Sequence, residues 1–280
     1  WVYWSNWFGL DVVTKTVQVQ RGLGVSKLAV PSVGGTMNIL TQGIGNKPQT
    51  KLKLEAGSNA FLRSTVSVNS GKLDGGWGFA AAISRKTGNG WADQTYTDGW
   101  FYYGKVEKKT KKHILSLSVF GAPQSHGQRP YKNPISYFDS SYAKQLGVSS
   151  DQIKQQSLVN KGSNFGFRFN DQWGKYTNRD GNEITFLSNE NYFHKQQFTL
   201  KDFWQVNKKF YISNVAYMSL ASGGGTGTSG MTTGDDGLLD MQFIYDNNGY
   251  IDFFGTPIPN VDATFHPTER KGSGYKYSSV

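Results

Sequence analysis

Along much of this chain, apolar and polar residues take turns. Between Lys51 and Ala56, Leu52, Leu54 and Ala56 fall on one face of an extended segment, and Lys51, Lys53 and Glu55 on the other. Val66 and Val68 oppose Thr65, Ser67 and Asn69. After Asp74-Gly75-Gly76, a run puts Trp77, Phe79, Ala81 and Ile83 opposite Gly78, Ala80, Ala82 and Ser84. Trp100, Tyr102 and Val106 alternate with Phe101, Tyr103, Lys105 and Glu107, and Leu115, Leu117 and Val119 with Ser116 and Ser118. Two later runs, about Lys195 to Trp204 and Lys209 to Leu220, complete seven predicted strands. Period-two alternation marks a strand with one apolar face, and helical periodicity is scarce.

Two architectures give such strands. In a soluble sandwich the apolar face turns to the core, and in a transmembrane barrel it turns to lipid while small and polar residues line a watery lumen. The connections favour the barrel, because outer-membrane barrels have short turns at one end and longer loops at the other. Connections two, four and six, at Lys72 to Gly76, Lys108 to Lys112 and Val206 to Lys208, are tight. Connections three, five and seven, from Gly88 to Asp98, from Ala122 to about Phe193 and from Gly223 onward, lengthen; the first, near Ser58-Asn59-Ala60, is short. Aromatics gather at strand ends: Phe203, Trp204, Phe210 and Tyr211 about the sixth connection, and Trp91 and Trp100 to Tyr103 at a long-loop end. Two aromatic girdles match the two interfaces of a bilayer. Asp202 and Asn214 go against the pattern by falling on the apolar face.

The chain has 280 residues, with 34 Gly, 8 Pro, 8 Trp, 15 Tyr, 18 Phe and no Cys. That length is enough for one large β domain. Without Cys there is no thiol, iron–sulfur or Cys-built zinc chemistry, and the absence suits an oxidising compartment, where an unpaired thiol is a hazard. Mean hydropathy is -0.52 and no 18-residue apolar run occurs, so no transmembrane helix is expected; neither fact bears on a barrel. Net charge is +10, which favours anionic neighbours. Part of it, Lys105, Lys108, Lys109, Lys111 and Lys112, flanks the fourth turn, at the predicted periplasmic end. Nucleic-acid binding is not expected, since the charge forms no continuous stripe interleaved with stacking aromatics. Residues Trp1 to Phe8 carry no signal-peptide core and the chain does not open with Met, which reads as a mature or partial chain.

Residues 1–46 differ from the rest. Val17 to Gln20 is a short strand, Arg21-Gly22-Leu23-Gly24 a turn, and Gly34-Gly35-Thr36-Met37-Asn38-Ile39-Leu40 a second strand opened by paired glycines. The segment VQVQRGLGVSKLAVPSVGGTMNILTQ, Val17 to Gln42, is similar to the end of the plug domain of TonB-dependent outer-membrane receptors. The upstream VYWSNWFGL and the later GAPQSHGQR resemble the Bacteroidetes branch of that family.

The resemblance implies an all-β fold: the C-terminal part of a plug domain over 1–46, then about seven strands of a family-typical 22-stranded transmembrane antiparallel barrel over 47–280, with long extracellular loops. It also implies a receptor in the bacterial outer membrane that imports a scarce ligand, whether siderophore, cobalamin, glycan or peptide. Such receptors are driven by the TonB complex of the inner membrane through an upstream plug segment. The rival reading is a barrel that binds or adheres without energised uptake. By position, Arg21 is expected at the plug–barrel contact, where its five donors suit inward-facing carboxylates.

Candidate ligand-binding residues are Trp4 and Trp7, whose rings suit stacking on a sugar or aromatic chelator or packing within the plug. Gln124, His126, Gln128 and Arg129 lie in a loop above the fifth strand, placed either to hydrogen-bond a polar ligand or to anchor the loop. Further along that loop, Asp139 before Ser140 to Leu146, with Gly147 after, reads as a capped helical turn, and Ser149 with Gln152 as a capping box. Ser222 to Gly227 reads as a flexible tract and Asp246-Asn247-Asn248-Gly249 as a β-turn. No enzyme activity and no cofactor are expected: His113, His126, His194 and His266 lack metal-ligand spacing, and no Gly-x-Ser-x-Gly elbow occurs.

Overall fold

The computed structural model describes residues 7–22, 34–160, 162–178, 180–229, 233–247 and 274–279. A short helix α1 (Leu10–Val13) runs directly into β1 (Thr14–Arg21), which pairs antiparallel with β2 (Gly35–Thr41) in a two-stranded sheet, Val17 opposite Ile39. The second sheet begins with β3 (Gln49–Gly57) and continues through β4 (Phe61–Asn69), β5 (Trp77–Gly88), β6 (Thr97–Lys109) and β7 (His113–Gly121). It is an antiparallel meander, each strand pairing with the next. Beyond a break at Ala122-Pro123 the short strand β8 (Gln124–Gly127) continues the line of β7, between the same two neighbours. The predicted loop at Gln124 to Arg129 is therefore strand over Gln124–Gly127.

The long connection is ordered. It carries α2 (Ile135–Phe138), α3 (Ser140–Gln145), α4 (Ser150–Val159) and a hairpin of β9 (Trp173–Thr177) and β10 (Glu183–Leu187). The predicted caps are present: the Asp139 carboxylate accepts from the backbone N–H groups of Ser141 and Tyr142, and Ser149 and Gln152 form a complete capping box. The main sheet resumes with β11 (Glu190–Gln205) and β12 (Tyr211–Ser229), and β13 (Gly274–Ser279) adds an edge strand to β12.

Two expectations are corrected. Ser222 to Gly227 belongs to β12, with Gly223 opposite Phe193 and Gly225 opposite Asn191. With no side chains to alternate, the tract looks like a linker in sequence and becomes a strand through its backbone pairing. Asp246 and Asn247 end a helix, α5 (Met241–Asn247), rather than forming a turn; Asn248 and Gly249 lie outside the described residues.

Register decides which face is which. Ala81, Gly104, Val119 and Phe198 form one cross-strand row, Phe79, Val106, Leu117 and Leu200 the next. This apolar face is the exposed one: Leu52, Phe79, Val106 and Leu117 are all about half exposed or more. The opposite face is covered, with Phe101 0% and Ser84 1% exposed. A soluble sandwich would show the reverse, so the alternation belongs to a lipid-facing sheet. From Trp77 to Arg85, whose partners are Lys108 and Trp100, the band spans about 26 Å along the strand at ~3.3 Å per residue, comparable with the ~25 Å apolar band of outer-membrane barrels.

Candidate functional site

What covers the inner face is the segment Trp7 to Val13. Leu10 and Val13 of α1 are buried with Ala82, Phe101, Tyr103 and Ala122 of the sheet, and Trp7, Phe8, Val12 and Phe120 pack around them. Trp7 meets Phe120 edge to face at 6.3 Å between ring centroids. Glycines allow the close approach. Gly9 has φ +89, and a Cβ there would lie 2.4 Å from Phe101 Cγ; one on Gly99 would lie 2.6 Å from the Phe8 ring.

An ion pair joins the two parts. Arg63 of β4 donates from its two terminal nitrogens to the two carboxylate oxygens of Asp11, each at 2.9 Å. The Arg63 side chain is 11% exposed and that of Asp11 61%. Arg63 Nε also donates to Ser84 Oγ at 3.1 Å, and Ser84 Oγ lies 2.8 Å from Thr65 Oγ1. The guanidinium plane is thereby held from behind, with Glu55 Oε2 also 3.8 Å from its Nε, and the paired bonds to Asp11 are the geometry that favours Arg over Lys. The Arg63 hydrogen bonds, opposed in part by burial, hold the Asp11 carboxyl below its usual range.

At the long-loop end, the mouth of the sheet, the inner face carries a group of polar side chains. Gln124 and His126 of β8 alternate onto it, in register with Gly99 and Thr97. Lys86, opposite Gly99, holds its ammonium 5.3 Å from the Phe8 ring centroid. His126 Nε2 lies 3.0 Å from Gln128 Nε2, and burial lowers the imidazole pKa. Close by, burial is the first cause raising the Tyr96 hydroxyl to about 12, so it stays protonated. A cation, an imidazole, amides and a half-buried ring at this end of the inner face can hydrogen-bond and charge-pair a polar, anionic solute, with the Glu190 carboxylate close enough to act on His126.

Arg129 turns away from that mouth. It donates from one terminal nitrogen to the carbonyls of Phe167 and Phe169, both at 2.8 Å, and its guanidinium lies 5.2 Å from the Phe138 ring centroid and 5.8 Å from that of Trp91. It is the hub of an aromatic lid in which Phe165 and Phe169 stack at 4.5 Å beside Tyr137. Of the other expected residues, Trp7 lies in the buried contact, Arg21 stands exposed at the end of β1 opposite Gly35, and Trp4 lies outside the described residues. Asp11 and Arg63 were not singled out in the sequence; alternation places Arg63 on the inner face, but no local signal ties it to a carboxylate 52 residues away.

No family model matches the sequence, and no curated protein matches it. Solved structures do. The chain is similar to the ferric-catecholate import receptor Fiu from E. coli in its closed form, at 15% identity and a TM-score of 0.57, over 78% of this chain and 28% of that one. It is also similar to the siderophore receptor PiuA from Acinetobacter baumannii, at 15% identity and a TM-score of 0.52, over 77% and 27%. The fold is that of part of each of these two receptors. The chain spans less than a third of the length of these two receptors.

Proposed function

We propose that this chain is part of a TonB-dependent receptor of the bacterial outer membrane that imports a scarce solute into the periplasm, with residues 1–46 ending the plug and 47–280 opening the barrel. The observation that carries the reading is the Asp11–Arg63 pair, which docks the segment before β1 onto the inner face of a sheet whose outer face is apolar and exposed. A wide barrel encloses a lumen that must be blocked at rest and opened for uptake. A charge-assisted clamp on a largely exposed carboxylate suits a contact that holds the plug yet releases under load. Work from the inner-membrane proton gradient, delivered through the TonB complex, is the proposed source of that load.

The proposed binding mouth consists of Gln124 and His126 with Lys86 and Phe8, and Trp7, Gln128 and Arg129 support it from behind. Arg21 is proposed to join the plug–barrel contact from the far end of β1. The solved receptors of this fold are named for siderophore and ferric-catecholate import; an anionic iron chelate matches the cation and donors of this mouth, so a siderophore is the proposed cargo. The test is uptake by cells in which the full-length gene is deleted and then restored, supplied in turn with ferric catecholates, cobalamin, glycans and peptides. Gene-dependent uptake that stops on adding a proton uncoupler supports the reading. Uptake indifferent to the uncoupler overturns it in favour of a non-energised binding barrel.

A further inference from the structure

The outer face carries a notch. Gly104 of β6 and Ala81 of β5 sit side by side in register, leaving a depression of about 400 Å³ walled by Phe79, Val106, Leu117 and Phe198. Its lining is apolar, and its floor is set by two residues too small to fill it. A Cβ on Gly104 would meet Val119 at 3.5 Å, ordinary contact, so nothing in the backbone forbids a side chain there.

Below the notch the same face ends in charge. Lys108, four residues along β6, lies with its ammonium 4.5 Å from the Trp77 ring centroid and donates to the Gly75 carbonyl at 2.7 Å. The β6–β7 turn brings Lys109, Lys111 and Lys112 beside it, and Lys72, Lys208 and Lys209 stand at the neighbouring short turns, against one acid there, Asp74. Asp202 shares the outer face but is engaged by His113 Nδ1 at 3.0 Å. Lys108 and Gly104 are about 13 Å apart along the strand, within the ~15 Å of one leaflet of a ~30 Å hydrocarbon core.

We propose that this face holds one anionic phospholipid of the periplasmic leaflet, its phosphate among Lys108, Lys111 and Lys112 and an acyl chain running past Val106 into the notch at Gly104. The inference rests on the membrane-barrel reading above, because short turns mark the periplasmic end. Generic lysines attract an anionic surface; a notch one leaflet deep, directly above them, selects a single bound molecule.

The test uses the full-length protein, extracted from membranes in non-ionic detergent and exposed to equal phosphatidylglycerol and phosphatidylethanolamine of one chain length. Native mass spectrometry then counts the lipids retained. One phosphatidylglycerol, retained at least about tenfold over phosphatidylethanolamine, is expected. The triple variant K108Q/K111Q/K112Q should lose that preference, and Gly104→Leu should lose the bound lipid with its lysines intact. Equal retention of the two lipids by the native protein overturns the inference, as does full retention by both variants. Heat-modifiable migration of each sample checks the barrel itself: a protein that never enters the membrane defeats the underlying reading, whereas an inserted barrel without lipid preference defeats only this inference.

Discussion

Asp11 and Arg63 meet through two parallel hydrogen bonds of 2.9 Å, one residue on the helix before β1 and the other on the wall of the main sheet. Their burial is unequal: the carboxylate is mostly in solvent and the guanidinium mostly enclosed, held from behind by Ser84. Losing the acid leaves a nearly buried cation with only the Glu55 carboxylate, 3.8 Å from its Nε, while losing the base frees an Asp11 carboxylate that water can receive but leaves Glu55 Oε2 buried without that cation.

Asp11→Asn and Arg63→Gln are both expected to loosen the docked segment, by about 1.5–3 kcal/mol for the charge-assisted bonds. Amide hydrogen exchange over Leu10 to Val13 reads this out directly. The same measurement should depend on pH. Because the folded pKa of Asp11 is lowered, the pair contributes fully above about pH 4 and loses its contribution as the pH falls through the depressed value. Weaker protection at neutral pH than in acid, after correction for the base-catalysed intrinsic exchange rate, would contradict this sign.

Gly9 faces Phe101 so closely that substitution there should act twice. A Cβ lies 2.4 Å from Phe101 Cγ, and φ +89 is a conformation that L side chains resist. Gly9→Ala should therefore undock Trp7 to Val13, and adding Phe101→Ala should remove the clash while leaving the strain and opening a cavity worth about 3–5 kcal/mol. Protease sensitivity near Leu10 is expected in both; an undisturbed single variant would argue against this packing.

How much of this was legible in the sequence follows from what each residue can signal. β3 to β7 announce themselves, because lipid on one side and a covered face on the other force strict alternation. The caps at Asp139 and Ser149 are local chemistry and could be read at once. The β9–β10 hairpin was missed although Asp180-Gly181 sits between alternating runs, a recognised hairpin signal, with Gly181 at φ +80. The glycine tract of β12 gave no signal, since its partner strand lies some thirty residues away. The Asp11–Arg63 clamp is a tertiary fact: two charges in separate strand and helix patterns, brought together only by docking.

The exposed apolar face makes a prediction of its own. Leu117→Arg and Val106→Arg place a cation at mid-depth of the band, at a cost of about 2–4 kcal/mol each, and should lower the amount of assembled barrel in the outer membrane. Ser118→Arg, one residue along β7 and on the inner face, should assemble normally. Spin labels at Val66, Phe79 and Leu117 should respond to oxygen dissolved in acyl chains rather than to aqueous relaxation agents; the opposite response would return the sheet to a soluble sandwich.

Arg129 joins segments of the lid that are about forty residues apart, and its two carbonyl partners define what it contributes. A lysine can reach one carbonyl but lacks the plane that lies against Phe138 and Trp91. Arg129→Lys is thus expected to weaken the lid by about 1.5–3 kcal/mol, one charged hydrogen bond, and Arg129→Ala to weaken it further. Neither should disturb the main sheet, because β11 pairs with β7 and β8 through the backbone. Limited proteolysis distinguishes the levels: cleavage between Phe138 and Phe169 should be fastest in the Ala variant, slower in the Lys variant and slowest in the native protein, while β5 to β7 stay protected. If the lid remains equally resistant in all three proteins, the Phe165–Phe169 stack and the Tyr137 contacts hold it without Arg129, and the arginine is left free to serve the mouth instead.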